Sequence, residues 1–335
     1  MPTQTDDRRR RYLDDDAAER RRFLSADAAA RRRFLSADAA ARRAFLQADA
    51  EAHRLQRQLL LGTAAAIAAR QWATVDVADI AGSWSRRVPA TAAAVAGAQV
   101  AAARTAQPYV AASVVSPAAY ELVPESFAGA ADGRSLEQLL YQPAITALSA
   151  IKSGRTVDEA LRLGAHQLDT IVRTEVADAS RAAVGVALTS EPAVEGYIRL
   201  IVGPTCARCI ILAGRIYKWS EGFERHPDCD CGMVPVADVN VADVPSPQDI
   251  YAALTPKERS RAGWSRAEQQ AIADGADIAA VTNIHRGGLY VAGGRQYTYE
   301  AAGRRPRITP RQIYREARGD RAEAVRLLRL HDYIR

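Results

Sequence analysis

The sequence predicts a mainly α-helical protein, of the α+β class, that carries one small β element. Its 335 residues are rich in alanine and only 6% aromatic, a composition that favours helices over sheets. An 11-residue repeat near the N-terminus has helical periodicity. A short run rich in β-forming residues comes just before a segment that holds all four cysteines. No secretory signal follows Met1, and the apolar stretches are shorter than the roughly 20 residues of a membrane span, so we expect no membrane association.

The first element is the repeat, in which Arg21–Arg31 recurs without change as Arg32–Arg42. Eleven residues close three helical turns, so each repeat presents the same face. One position of this face is always aromatic: Tyr12, Phe23, Phe34 and Phe45. No proline or glycine interrupts residues 6–61, so we predict a long helix in an extended arm over residues 1–62. An aromatic stripe is costly to leave in water, which favours an arm that packs on a partner over a solvated charged helix.

The middle of the chain is predicted to contain two further domains. Residues 63–156 form an alanine-rich helical region, and residues 157–240 form a domain with the cysteine segment. Helical patterns cover Ser135–Ser153 and Val157–Leu188, and Thr156-Val-Asp-Glu159 is a capping box at the start of the second helix. The β-rich run is Glu195–Val202, and a closing strand is predicted at Met233–Val236.

The C-terminal section, residues 246–335, is predicted to be basic and helical. It follows a proline-containing linker over residues 237–248 and contains a glycine-rich hairpin turn at Arg286–Arg295. Helices are expected to begin at Thr309-Pro310 and to cover Arg321–Leu330. The net charge is +6, and Arg304–Arg335 holds ten arginines against four acids. This segment suits either nucleic-acid phosphates or an acidic protein partner.

The cysteine segment has the spacing of a metal site. Two residues separate Cys206 from Cys209, so a tight turn allows both thiolates to bind one ion. Two residues from the trio His226, Cys229 and Cys231 complete a tetrahedron, and spacing does not settle which two. Thiolates with an imidazole favour zinc. We therefore predict one structural Zn²⁺ with four protein ligands, which leaves no open position for water.

Two other interpretations of the cluster stay open. The thiols can be reduced residues of a core, or Cys229 and His226 can form a nucleophile that competes with the metal for the same atoms. The sequence contains no serine-hydrolase, zinc-protease or phosphate-loop motif. We therefore predict no catalytic residues and no site for an organic cofactor.

The segment Gly203–Tyr217, followed by His226–Cys231, resembles the Mu F-like minor head proteins of tailed bacteriophages. The family pattern is Cys-x2-Cys, a glycine a few residues on, then His-Pro-x-Cys-x-Cys and a short strand. The matching residues here are Cys206, Cys209, Gly214, His226, Pro227, Cys229 and Cys231. Ala271–Asn283 is similar to the forms found in phages of actinobacteria. The resemblance covers roughly Val157–Arg335 and leaves the repeats outside it.

This resemblance implies a minor capsid, or head morphogenesis, protein that acts in procapsid assembly. Its expected locations are the host cytoplasm during assembly and then the interior of the procapsid or virion. Its expected partners are portal, scaffold or major capsid protein, with self-association through the N-terminal helix and DNA contact through Arg304–Arg335 as further expectations. Similar proteins of actinobacterial phages are often described as capsid maturation proteases. Cleavage of scaffold or major capsid protein is therefore one alternative function, and an internal DNA-contacting protein is another.

Overall fold

The computed structural model describes residues 39–113, 118–192, 194–201, 205–223, 225–226, 229, 231–236, 245–299 and 306–334. The repeats before residue 39 lie outside the described residues. Of the predicted arm over residues 1–62, the structure describes only residues 39–62. The chain divides into two compact units, one with residues up to 200 and 216–243, the other with residues 201–215 and 244–335. Helices dominate, and two small antiparallel sheets accompany them, which confirms the predicted fold class.

The first unit combines a helical bundle with a three-stranded sheet. Its helices are α1 Ala39–Trp72, α2 Ile80–Ser85, α3 Val88–Arg104, α4 Ala106–Ser113, α5 Leu136–Lys152 and α6 Val157–Thr189. Its strands are β1 Gly196–Leu200, β2 Ile216–Lys218 and β3 Gly232–Val236, in the antiparallel order β2-β1-β3. The predicted capping box is present at α6, where Thr156 and Glu159 bond each other's backbone N–H groups.

The first helix is longer than predicted. The sequence predicts an end at Leu61, but α1 continues through Gly62 to Trp72. The residues beyond Gly62 that hold it in the core are Ala64, Ala65, Ala68 and Trp72, all buried. A glycine inside a helix costs about 1 kcal/mol relative to alanine. Burial of a tryptophan and three alanines outweighs that cost, so packing decides where this helix ends.

Two tryptophans organise the core of this unit. Trp84 is fully buried, and its indole N–H donates to the carbonyl of Leu140 at 2.9 Å. The Trp72 indole N–H donates to the carbonyl of Leu161 at 3.1 Å, and the two rings meet edge to face at 4.9 Å. These contacts join α1 and α2 to α5 and α6, with every buried indole donor satisfied.

Gly164 allows α6 to approach its neighbours closely. A Cβ atom at this position would lie 2.4 Å from Cζ2 of Trp72 and 2.9 Å from the carbonyl oxygen of Pro143 in α5. Real Cβ contacts are longer, and a tryptophan ring and a backbone carbonyl are both poorly able to move. The glycine is therefore a packing requirement of the bundle.

A buried polar contact links α1 and α4 to the sheet. The His53 ring stacks on Tyr109 at 4.2 Å, and its Nε2 atom lies 3.0 Å from Oγ1 of Thr105. The Tyr109 hydroxyl donates to the carbonyl of Met233 in β3 at 2.8 Å. Burial lowers the pKa of His53 to about 4, so the ring is neutral at pH 7.

The second unit is built from short helices and a second sheet. Its helices are α7 Ala207–Ile211, α8 Pro247–Ala253, α9 Pro256–Ala262, α10 Arg266–Ala273, α11 Ile278–Thr282, α12 Pro310–Ala317 and α13 Arg321–Leu330. Its strands are β4 Leu289–Ala292, β5 Arg295–Thr298 and β6 Arg307–Ile308, in the antiparallel order β4-β5-β6. The predicted hairpin turn and the helices after Thr309 and over Arg321–Leu330 are confirmed.

Two features of this unit differ from the sequence prediction. The predicted linker over residues 237–248 reaches into α8, which begins at Pro247 with a capping box between Ser246 and Asp249. Proline at the first position of a helix starts it rather than breaking it. The section predicted as helical also contains a third strand, because Ile308 pairs with Tyr297 of the hairpin.

The core of the second unit surrounds Trp264 and Tyr333. The Trp264 indole N–H donates to Oγ1 of Thr282 at 2.9 Å, and the Tyr333 hydroxyl donates to the carbonyl of Ile308 at 3.1 Å. Helix α7 contributes Ala207 and Ile210 to this core. Of the helices in the described ranges, none is long and apolar enough to cross a membrane.

We predict opposite effects for alanine at two glycines of α6. Gly164→Ala forces a Cβ against Trp72 and should lower the free energy of unfolding by about 1–3 kcal/mol. At Gly185 a Cβ would meet nothing within 4 Å, so Gly185→Ala should raise stability by about 0.5–1 kcal/mol through helix propensity. Urea unfolding of both variants measures this difference, and a Gly164→Ala protein at least as stable as wild type would contradict the close approach.

Candidate metal centre

The first two candidate ligands are held by α7. Cys206 is the residue that caps the helix, and Cys209 lies inside it and is 2% exposed. The N–H of Ile210 donates to the carbonyl of Cys206 at 3.1 Å, which forms the first turn. Residues three apart on one turn project to the same side, as the Cys-x2-Cys spacing predicted.

The other three candidates precede β3. The N–H of Cys229 donates to the carbonyl of His226 at 3.2 Å, which links these two candidates directly. Cys231 directly precedes Gly232, where β3 begins its pairing with β1. Cys229 and Cys231 are 5% and 1% exposed, whereas His226 is half-buried.

All five candidates belong to one cluster of donor atoms. The ligand atoms of Cys206, Cys209 and His226 lie within 4.8 Å of one another, and so do those of Cys209, Cys229 and Cys231. A tetrahedral zinc site with Zn–S bonds of 2.3 Å places its sulfurs about 3.8 Å apart, which lies inside the 4.8 Å limit that both groups satisfy. The cluster can hold a metal ion.

The two groups share Cys209 and divide the trio between them. His226 groups with Cys206, while Cys229 groups with Cys231. The geometry therefore does not decide which two residues of the trio complete the site, and the sequence spacing does not decide it either. It also places His226 with the first pair of cysteines rather than with Cys229, its partner in the nucleophile interpretation.

Sequence reasoning missed Arg181, a buried arginine of α6 that bonds the ligand-bearing loop. Its Nη2 donates to the carbonyl of Cys229, and its Nε donates to the carbonyl of Cys231 at 3.4 Å. Its Nη1 donates to Oδ1 of Asp178 at 3.0 Å, and Arg225 pairs with the other oxygen of Asp178. The only hint in the sequence is a charged residue among the alanines of a long amphipathic helix.

The charge of Arg181 suits thiolate ligands. Burial lowers the pKa of Arg181, and nearby Arg57 acts in the same direction, whereas Cys229, Asp178 and Cys231 raise it. A Zn²⁺ ion bound by three or four thiolates carries net negative charge, so a guanidinium beside the loop compensates it. A positive neighbour also favours the thiolate form that binds metal.

Much of the basic charge of the C-terminal section is engaged inside its own unit. Arg321 donates to Oδ1 of Asp274 at 2.8 Å, and Arg326 pairs with Glu323 at 2.6 Å. Arg307 donates to the carbonyl of His331 at 3.0 Å, and its guanidinium lies over the Tyr333 ring. The net charge of this segment therefore overstates what it offers to an acidic partner. Arg304, Arg305 and Arg335 lie outside the described residues.

Removing Arg181 should destabilise the first unit strongly. Arg181→Ala leaves the buried Asp178 with one partner fewer and two loop carbonyls without their donor, so we expect a loss of about 3–5 kcal/mol in the free energy of unfolding. The matched control on α6 is Arg173→Ala, whose pair with Asp169 is partly exposed and should be worth less than about 1 kcal/mol. Denaturant unfolding measures both. Equal effects would show that the Arg181 contacts contribute no more than a surface ion pair.

Comparison with known proteins gives one family match. No curated protein and no solved structure matches the chain. A family model described as "VG15 protein" matches residues 26–254, a range that contains all five candidate ligands and covers more than half of the chain. VG15 is a family of phage proteins. The chain therefore belongs to the VG15 protein family of bacteriophages.

Proposed function

We propose that this phage protein is a minor capsid protein of the Mu F-like type, which acts in head morphogenesis and contacts portal and inner capsid during procapsid assembly. The observation that carries the proposal is the family match, because it spans the cysteine segment on which the Mu F-like resemblance rests. The clustering of these cysteines with His226 is a second support, since the resemblance implies one metal centre from the same residues.

The proposed metal is one structural Zn²⁺. Cys206 and Cys209 supply two ligands, and two of His226, Cys229 and Cys231 supply the others. Soft thiolates and an imidazole match zinc rather than magnesium or calcium. Four protein ligands leave no position for a reactive water, so the role we assign to the ion is to hold the fold.

The domains outside the cluster have proposed roles in assembly. The arm over residues 1–62 reaches a portal, scaffold or capsid partner, and the helical region over 63–156 supports the zinc-binding domain over 157–240. The basic section 246–335 faces an acidic partner. DNA contact through Arg304–Arg335 is less favoured, because Arg307, Arg321 and Arg326 already bond groups of their own unit. We place the protein in the host cytoplasm during assembly and afterwards inside the procapsid or virion.

Purified protein should contain one equivalent of zinc by elemental analysis. Cys206→Ser and Cys209→Ser should each reduce it below about half an equivalent and lower the melting temperature, because a lost ligand weakens both metal binding and folding. Arg208→Ser is the matched control, since Arg208 lies between the two cysteines on the exposed side of α7. Among His226→Ala, Cys229→Ser and Cys231→Ser, the variant that keeps its zinc identifies the residue that is not a ligand. Full stability of metal-free wild type would contradict the structural role.

Co-expression with the portal, scaffold and major capsid proteins of the same phage tests the function. We expect the protein to co-purify with portal and to sediment with procapsids, while the capsid band keeps its full length. Its absence from portal complexes, procapsids and virions would overturn the proposal. A shortened capsid or scaffold band, abolished by one Ser→Ala or His→Ala change, would favour the maturation protease instead. Mass spectrometry of procapsids and virions distinguishes these outcomes.

A further inference from the structure

Helix α1 has two apolar faces, and the described part of the chain covers only one of them. The buried face comprises Ala50, Leu61, Ala64, Ala65, Ala68 and Trp72. The opposite face comprises Ala48, Ala52, Leu55, Leu59, Gly62, Ala66 and Ala69, which we call the outer seam. Leu55 is 50% exposed and Leu59 is 73% exposed. A helix that is apolar on both sides normally has a second neighbour.

The outer seam has the spacing of a coiled coil. Its successive positions are four and three residues apart without a break from Ala48 to Ala69. This is the a/d pattern of a heptad repeat, sustained over three heptads and about 30 Å of helix. Three heptads is the length at which such a pattern begins to indicate helix pairing.

The seam offers no charge to a partner. Residues 58–69 contain no charged side chain, and Glu51 and Arg54, which lie beside the seam, pair with each other at 2.7 Å. An acidic or basic partner therefore finds no counter-charge along this face. The partner surface that fits the outer seam is another apolar helix face with small side chains.

Among the described residues, none requires a glycine at position 62. It lies in mid-helix, and a Cβ at this position would meet nothing within 4 Å. Glycine destabilises a helix interior, yet here neither a positive φ nor a close neighbour in the chain explains it. A close approach by the backbone of a second helix, on the seam where Gly62 lies, does explain it.

We propose that the outer seam binds the outer seam of a second copy of this chain, as an antiparallel helix pair. The seam is self-complementary, because its two leucines lie at the centre and small residues flank them on both sides. In an antiparallel pair Leu55 packs beside Leu59 of the second copy, and Ala52 packs opposite Gly62 of the second copy. Such a two-fold contact closes on itself and gives a dimer.

The chain before α1 is consistent with this partner. In the sequence, Phe45 and Ala41 continue the spacing of the seam toward the N-terminus, and the 11-residue repeat Arg21–Arg31 lies further in that direction. The dimer does not depend on the proposed role in head assembly, because it follows from the exposure and spacing of α1 alone.

Sedimentation velocity of the full chain over a range of concentrations tests the dimer. We expect wild type to dimerise and Leu59→Glu to be monomeric, because two carboxylates, one from each copy, would be buried at the centre of the pair. Leu163→Glu is the control, since Leu163 is 42% exposed on α6, away from the seam, and this variant should remain a dimer. Circular dichroism confirms that both variants are folded.

A second pair of variants separates association from folding. Gly62→Ala and Gly97→Ala both replace a helical glycine whose Cβ would meet nothing within 4 Å, so both should raise the melting temperature of the monomer by a similar few degrees. Only Gly62→Ala should weaken the dimer, by about tenfold in dissociation constant. A full chain that is monomeric at all concentrations, or a dimer that Leu59→Glu leaves intact, would overturn the proposal.

Discussion

The contact between Arg181 and the backbone of the ligand-bearing loop is the interaction on which the first unit most depends. One guanidinium reaches the carbonyls of Cys229 and Cys231 and the carboxylate of Asp178. A buried charge is tolerated only when its partners are fixed in place, so these bonds constrain the loop as much as they constrain the arginine. The cysteines that precede β3 are thus positioned from α6, one of the two long helices of the bundle.

Helix α6 has a second role that makes this support rigid. Its N-terminal half packs against Trp72 and α5 through Gly164, where no larger residue fits. Further along, Glu175 accepts a hydrogen bond from the N–H of Ala131 at 2.9 Å and fixes the loop before α5. Because one helix serves both the core and the ligand loop, a change in packing at one end is expected to reach the other. The bundle thus holds the loop that carries Cys229 and Cys231 through Arg181.

The cysteine pattern accounts for the cluster, but not for the outer seam of α1. Inside the unit, α1 is fixed by Trp72 and by the stacked pair of His53 and Tyr109. Its outward leucines contribute nothing to those contacts and cost solubility, so an assembly role gives them a physical reason.

The sequence by itself determined the features that local chemistry controls. The capping box at Thr156, the Thr309-Pro310 helix start and the Cys-x2-Cys turn were predictable, because each depends on residues within one turn. Tertiary structure alone decided the rest. The continuation of α1 past Gly62, the pairing of β6 with the hairpin and the placement of Arg181 depend on partners far away in the chain. Burial of those partners outweighs local propensity, and no short sequence window contains that information.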